Sequence, residues 1–179
     1  KTHDKDTAYS VSGFVECSDK SIAEINDAIH ALIDRHPILK GRVLQTDDLP
    51  LLVCDSYPAI KITKGDDYAE LIKAFDLHEN LARFYIVDDE KQKFIAYDMH
   101  HIISDATNHN IIKKDLFDIF DGNADDTIDL GFVYASCDSF ESRFNPQYKS
   151  AEKFFRKEFS DMEDIRFLIK DIDGSEGRV

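Results

Sequence analysis

Phe94-Ile95-Ala96-Tyr97-Asp98-Met99-His100-His101-Ile102-Ile103-Ser104-Asp105-Ala106 is the stretch that decides how this chain is read. Phe94 to Met99 is rich in β-formers and reads as a strand. It runs directly into two adjacent histidines. Ser104 or Asp105 then supplies an N-cap, and a helix is expected to follow to about Phe120. Ile112, Leu116, Ile119 and Phe120 form its apolar stripe, and Asp121-Gly122-Asn123 ends it. Neighbouring residues at a strand end point to opposite faces. One of the two histidines can therefore face a cavity, while the other needs partners of its own. Asp105 can orient a ring nitrogen or pair with a cation. Three local readings stay open: a structural histidine pair, a metal site, and general acid–base catalysis. The metal reading is the weakest, because adjacent strand side chains diverge and no H-E-x-x-H spacing occurs.

Upstream of this stretch, Arg83–Val87 reads as the other half of a strand pair, joined to it by the polar turn 88–92. Further back, Ala8–Cys17 reads as a strand. Ser21 and Glu24 have capping-box spacing, and Ile22, Ile25, Ile29, Leu32 and Ile33 recur at helical intervals until Pro37 stops them. Leu39–Gln45 and Leu51–Cys54 read as a hairpin, Ile60 and Ile62 as a short strand, and Asp67–Phe75 as a short helix. Downstream, 125–129 is an acidic loop, and 132–144 is partly helical. Gln147–Asp161 is a helix with Tyr148, Ala151, Phe154, Phe155 and Phe159 on one face. Alternating strands and helices, with hairpins among them, predict an α/β chain whose sheet is mixed.

The composition removes whole classes of function. The 179 residues carry 22 Lys+Arg against 36 Asp+Glu, a net charge of −14. Such a surface repels phosphate backbones and anionic headgroups, so no nucleic-acid and no membrane partner is expected. No apolar run reaches the roughly 18 residues a membrane span needs, and the polar start Lys1–Thr7 is unlike a signal peptide. Cys17, Cys54 and Cys137 form no C-x-x-C pair and no disulfide framework. Reduced packing thiols in a cytoplasmic protein are the simplest reading. G-x-G-x-x-G and P-loop motifs are both absent from the sequence.

Tyr97-Asp98-Met99-His100-His101-Ile102-Ile103-Ser104-Asp105-Ala106 resembles the HHxxxDG signature of nonribosomal peptide synthetase condensation domains. Four further segments resemble the same family, in the same order. Arg35-His36-Pro37-Ile38-Leu39-Lys40-Gly41-Arg42-Val43 is similar to its RHExLRTRF stretch. Phe75-Asp76-Leu77 with Leu81-Ala82-Arg83 is similar to its FDL…PLxR segment. Tyr134-Ala135 stands where the family has a Tyr-Ala-Asp-Tyr helix, and Phe154-Phe155-Arg156-Lys157 is similar to a later Tyr-Trp-Arg run. The resemblance spans about residues 8 to 162.

The resemblance implies a chloramphenicol acetyltransferase-like fold, here a two-layer α/β sandwich lobe with a mixed, largely antiparallel sheet and flanking helices. Residues 1–170 would be the N-terminal lobe and 171–179 a linker or frayed tail, with the C-terminal lobe absent. His101 would be the catalytic residue, facing the tunnel between lobes. His100 and Asp105 would be its structural support, Asp105 pairing with Arg35 or, second, with Lys40. Ala106 stands in place of the motif's Gly and would offer a backbone contact. The implied activity is amide-bond formation between a donor acyl or peptidyl thioester and an acceptor aminoacyl thioester. Both substrates would ride on phosphopantetheine arms of carrier proteins, with no cofactor or metal bound directly. Carrier domains, the chain's own C-terminal lobe and adjacent synthetase modules are the implied partners. A stand-alone O-acyltransferase sharing HHxxxD and a non-catalytic carrier-binding lobe remain as alternatives. The isolated lobe is expected to be inactive.

Overall fold

The computed structural model describes residues 7–47, 50–64, 72–89, 92–125, 127–142 and 144–160. Strand β1 (Ser10–Glu16) leads to helix α1 (Ile22–Arg35) and a 3-10 turn (Pro37–Lys40). Strands β2 (Gly41–Leu44), β3 (Leu51–Cys54), β4 (Ile60–Thr63), β5 (Ala82–Asp88) and β6 (Lys93–His100) follow. Helices α2 (Asn108–Phe120), α3 (Gly131–Ser142) and α4 (Pro146–Glu158) complete the order. Contacts divide the chain into two units, Lys1–Phe132 and Val133–Val179.

The first unit is built on a four-stranded sheet, β1-β6-β5-β4, beside a separate β2-β3 hairpin. β1 and β5 both flank β6 antiparallel, while β4 joins β5 in parallel. The expected mixed, mostly antiparallel sheet is therefore present. Its central strand, β6, is buried on both faces. Ile95, Tyr97 and Met99 share one core with Ile25, Ile29 and Leu32 of α1 and Ile112 and Leu116 of α2. Ala96 packs on the opposite face with Tyr85 and Val87. Burying each of these larger side chains contributes about 1.5–3 kcal/mol against leaving it in water.

α1 starts as its sequence predicts. Ser21 Oγ accepts from the Glu24 N–H, and the Glu24 carboxylate accepts from the Ser21 N–H at 2.8 Å. Two details differ from the sequence reading. Pro37, Ile38, Leu39 and Lys40 form the 3-10 turn, so β2 begins at Gly41 and not at Leu39. Proline at the first helical position has its φ pre-set and no N–H to satisfy there. α2 begins at Asn108, after Thr107, and not directly behind Ser104 or Asp105. Ser104 is buried and Asp105 is spent on a local turn. One glycine permits a close approach: a Cβ on Gly13 of β1 would collide with the Tyr97 hydroxyl, which is hydrogen-bonded to His109 of α2.

In the second unit α4 is capped by Asn145, whose side chain accepts from the Gln147 N–H at 2.9 Å, and Pro146 takes the first position. Phe155 stacks on Phe159 and meets Phe154 edge-on. Residues 67–71 of the expected 67–75 helix and the 171–179 tail lie outside the described residues; 72–75 carry no regular structure.

Candidate active site

The histidine turn is held by the residues that lead into the two strands flanking β6. The His100 N–H donates to the Leu81 carbonyl at 2.9 Å on the β5 side, and the His101 N–H donates to the Tyr9 carbonyl at 2.7 Å on the β1 side. The Ile103 N–H closes the turn on the His100 carbonyl at 3.0 Å, and the Ile103 side chain is buried. The chain thus leaves the sheet at His101, which is exposed, while His100 stays half-buried.

The two rings consequently have different surroundings. His100 Nδ1 accepts from the Ile102 N–H at 3.1 Å, which requires that nitrogen to be unprotonated. Its ring stacks on Tyr9 at 5.8 Å and lies perpendicular to Phe75 at 5.8 Å. Burial, and secondarily the neighbouring His101, holds its pKa below the usual histidine range. His100 is therefore a neutral, anchored ring. His101 carries its ring into solvent, where it can take a proton from an approaching group or return one.

Asp105 and Arg35 do not form the expected pair. Asp105 accepts from the Thr107 N–H at 2.8 Å and the Asn108 N–H at 3.3 Å, shaping the entry to α2. Arg35 closes α1, which packs along α2, so its guanidinium meets Asp115 in the body of α2 at 3.2 Å. It also donates to Asp125 at 2.6 Å. The second option, Lys40, pairs with Asp34 at 2.7 Å. Ala106 is exposed in the turn before α2.

Two groupings went unread in the sequence. His36 is buried, with Nε2 at 2.6 Å from Asp115 and Nδ1 at 3.1 Å from Asp129. Asp115 lies between Ile112 and Leu116 on the buried stripe of α2, and a carboxylate in that position requires a cation. That was the available signal. The second grouping is Asp98, which is 1% exposed within β6. It accepts from Ser12 Oγ at 3.1 Å and faces Arg83 of β5 at 3.5 Å. Burial pushes its pKa up, against the opposing pull of Ser12 and Arg83. A charged residue inside a strand buried on both faces was the signal here.

Among the described residues no cluster of His, Cys, Asp and Glu is arranged to hold a metal ion. Burial raises the Cys17 thiol to about 11, so it is a poor nucleophile at neutral pH and packs as an apolar group. No helix among the described residues is long and apolar enough to cross a membrane.

Comparison with known proteins adds the family. The family model described as Condensation domain matches residues 1–171. Bacitracin synthase 3 of Bacillus licheniformis is 26% identical over 113 residues, covering 56% of this chain and 2% of that protein. Surfactin synthase subunit 2 of Bacillus subtilis (strain 168) is 33% identical over 113 residues, covering 55% of this chain and 3% of that protein. The chain therefore spans a small fraction of the curated relatives it matches. Among solved structures, the starter condensation domain of rhizomide synthetase RzmA aligns with a TM-score of 0.70 at 14% identity. That alignment covers 89% of this chain and 44% of that one.

Proposed function

The chain belongs to the condensation-domain family, and we propose that it is the N-terminal lobe of such a domain, carrying the histidine of an amide-forming site. The observation that carries this reading is the contrast at the end of β6, where His101 is open to solvent beside an anchored, neutral His100. The substrates are a donor acyl or peptidyl thioester and an acceptor aminoacyl thioester, each on the phosphopantetheine arm of a carrier domain. The second lobe, the carriers and adjacent modules are the partners.

The chemistry follows from the groups present. An α-amine with a pKa near 8 is mostly protonated at neutral pH, and only its neutral form attacks a carbonyl. Its nitrogen adds to the thioester carbon, forming the C–N bond and placing negative charge on the carbonyl oxygen. The extra proton on nitrogen passes to His101. Collapse of the intermediate breaks the C–S bond, and the departing thiolate takes up a proton. His101 is the proton acceptor and later donor. The Ala106 N–H is the candidate contact for the developing oxyanion. His100 fixes the turn, Asp105 shapes the entry to α2, and Arg35 ties α1 to α2.

A reconstitution with the intact two-lobed protein tests this. Donor and acceptor carriers are loaded, and the products are separated by mass spectrometry with both an amine and an alcohol acceptor. Amide product from the amine acceptor is expected. Ester from the alcohol alone would assign the chain to O-acyl transfer, and no product from competent carriers would assign it a binding role.

A further inference from the structure

The sequence reading and the family motif leave Arg83, Phe75 and Asp98 without a role, yet the structure joins them to His100. The Arg83 guanidinium carbon lies 3.8 Å from the centroid of the Phe75 ring. The guanidinium also donates to the carbonyls of Lys73 at 2.6 Å and Ala74 at 3.0 Å. Asp98 sits opposite Arg83 in the β5–β6 register and approaches it at 3.5 Å. Asp98 and His100 are two residues apart on β6 and so share a sheet face. The Phe75 ring, with the Arg83 guanidinium over its face, stands perpendicular to the His100 ring, which also stacks on Tyr9. Ser10 pairs with His100 across the β1–β6 register.

We propose that Arg83 is a positioning residue for the histidine turn. Its planar guanidinium, braced by Asp98 and two carbonyls, holds Phe75 against His100, which fixes the Nδ1 acceptor for the Ile102 N–H and thereby the direction in which His101 leaves the sheet. Two properties of the group support this. A guanidinium stacks on an aromatic face and reaches two carbonyls at once, which an ammonium does not. A carboxylate as buried as Asp98 needs a cation beside it, so the brace and the charge balance are one arrangement. The consequence for catalysis rests on the reading of His101 given above, whereas the geometric claim does not.

The test separates the stack from the charge. Arg83→Lys keeps a cation opposite Asp98 and removes the planar stack. Arg83→Met combined with Asp98→Asn removes the pair without leaving a buried charge. In the full chain, the His100 ring is titrated by NMR and the exchange rate of the Ile102 amide is measured. If Arg83 positions the turn, both variants raise the His100 midpoint toward the ordinary value of 6.5. They also speed Ile102 exchange at least tenfold, while amides at the centre of β6 keep their protection. Parent values for both readouts in Arg83→Lys would show that Arg83 serves only as a counter-charge and would overturn the proposal. Should the double variant not fold, Arg83→Lys alone decides. Because neither readout depends on turnover, their outcome is independent of whether His101 transfers the proton.

Discussion

At the scale of single residues, the decisive feature is the unequal treatment of two identical side chains. His100 and His101 are neighbours in the chain, yet one ring is packed between Tyr9 and Phe75 and the other is exposed. The depressed pKa of His100 has a thermodynamic consequence. The unfolded chain takes up a proton there at a higher pH than the folded chain does, so in that window the unfolded state binds more protons. The contribution of His100 to stability is then intact above its ordinary value of about 6.5 and falls as the pH drops below it. Denaturant unfolding at a series of pH values should show this slope, and His100→Asn should flatten it while keeping a side-chain acceptor for the Ile102 N–H. The motif made this pair legible from sequence, and strand-end alternation made the difference in exposure between the two rings legible as well. The partner of Asp105 was not legible. Which cation reaches which carboxylate depends on where α1 lies along α2, and a linear spacing does not contain that.

At the scale of elements, the sequence was most informative where a local interaction settles the structure. The α1 boundary is such a case, because its capping box involves only Ser21 and Glu24. Ser21→Ala should cost about 1 kcal/mol of stability, measured by denaturant unfolding, with the native fold retained. The start of α2 is the opposite case. Ser104 and Asp105 are both good caps by residue type, but Ser104 is buried and Asp105 turns its carboxylate onto the Thr107 and Asn108 amides. The chain therefore completes a turn before the helix begins. The sheet shows the same limit. Strand positions were readable from β-propensity and alternation, whereas the parallel pairing of β4 with β5 was not, since strand order follows from tertiary packing.

At the scale of the whole molecule, a five-residue polar group lies outside the histidine turn, where Arg35 and His36 at the end of α1 meet Asp115, Asp125 and Asp129. Removing Asp115, the buried carboxylate of the group, leaves Arg35 and His36 only their more exposed second carboxylates, Asp125 and Asp129. Asp115→Ala should therefore destabilise the chain by roughly 3 kcal/mol, the low end for such sites, since Arg35 and His36 each keep a second carboxylate. Calorimetric or denaturant unfolding checks this. The family relationship was legible because five motifs survive in order, while the protein around the chain was not, since the chain spans only 2–3% of the curated relatives compared above. The central claim is that His101 moves the proton during amide formation, and single-turnover condensation by the intact two-lobed protein on loaded carriers tests it most directly. His101→Ala should lower the rate of amide formation about 10²–10⁴-fold while carrier binding is retained. Equal rates for the parent and His101→Ala proteins would contradict it.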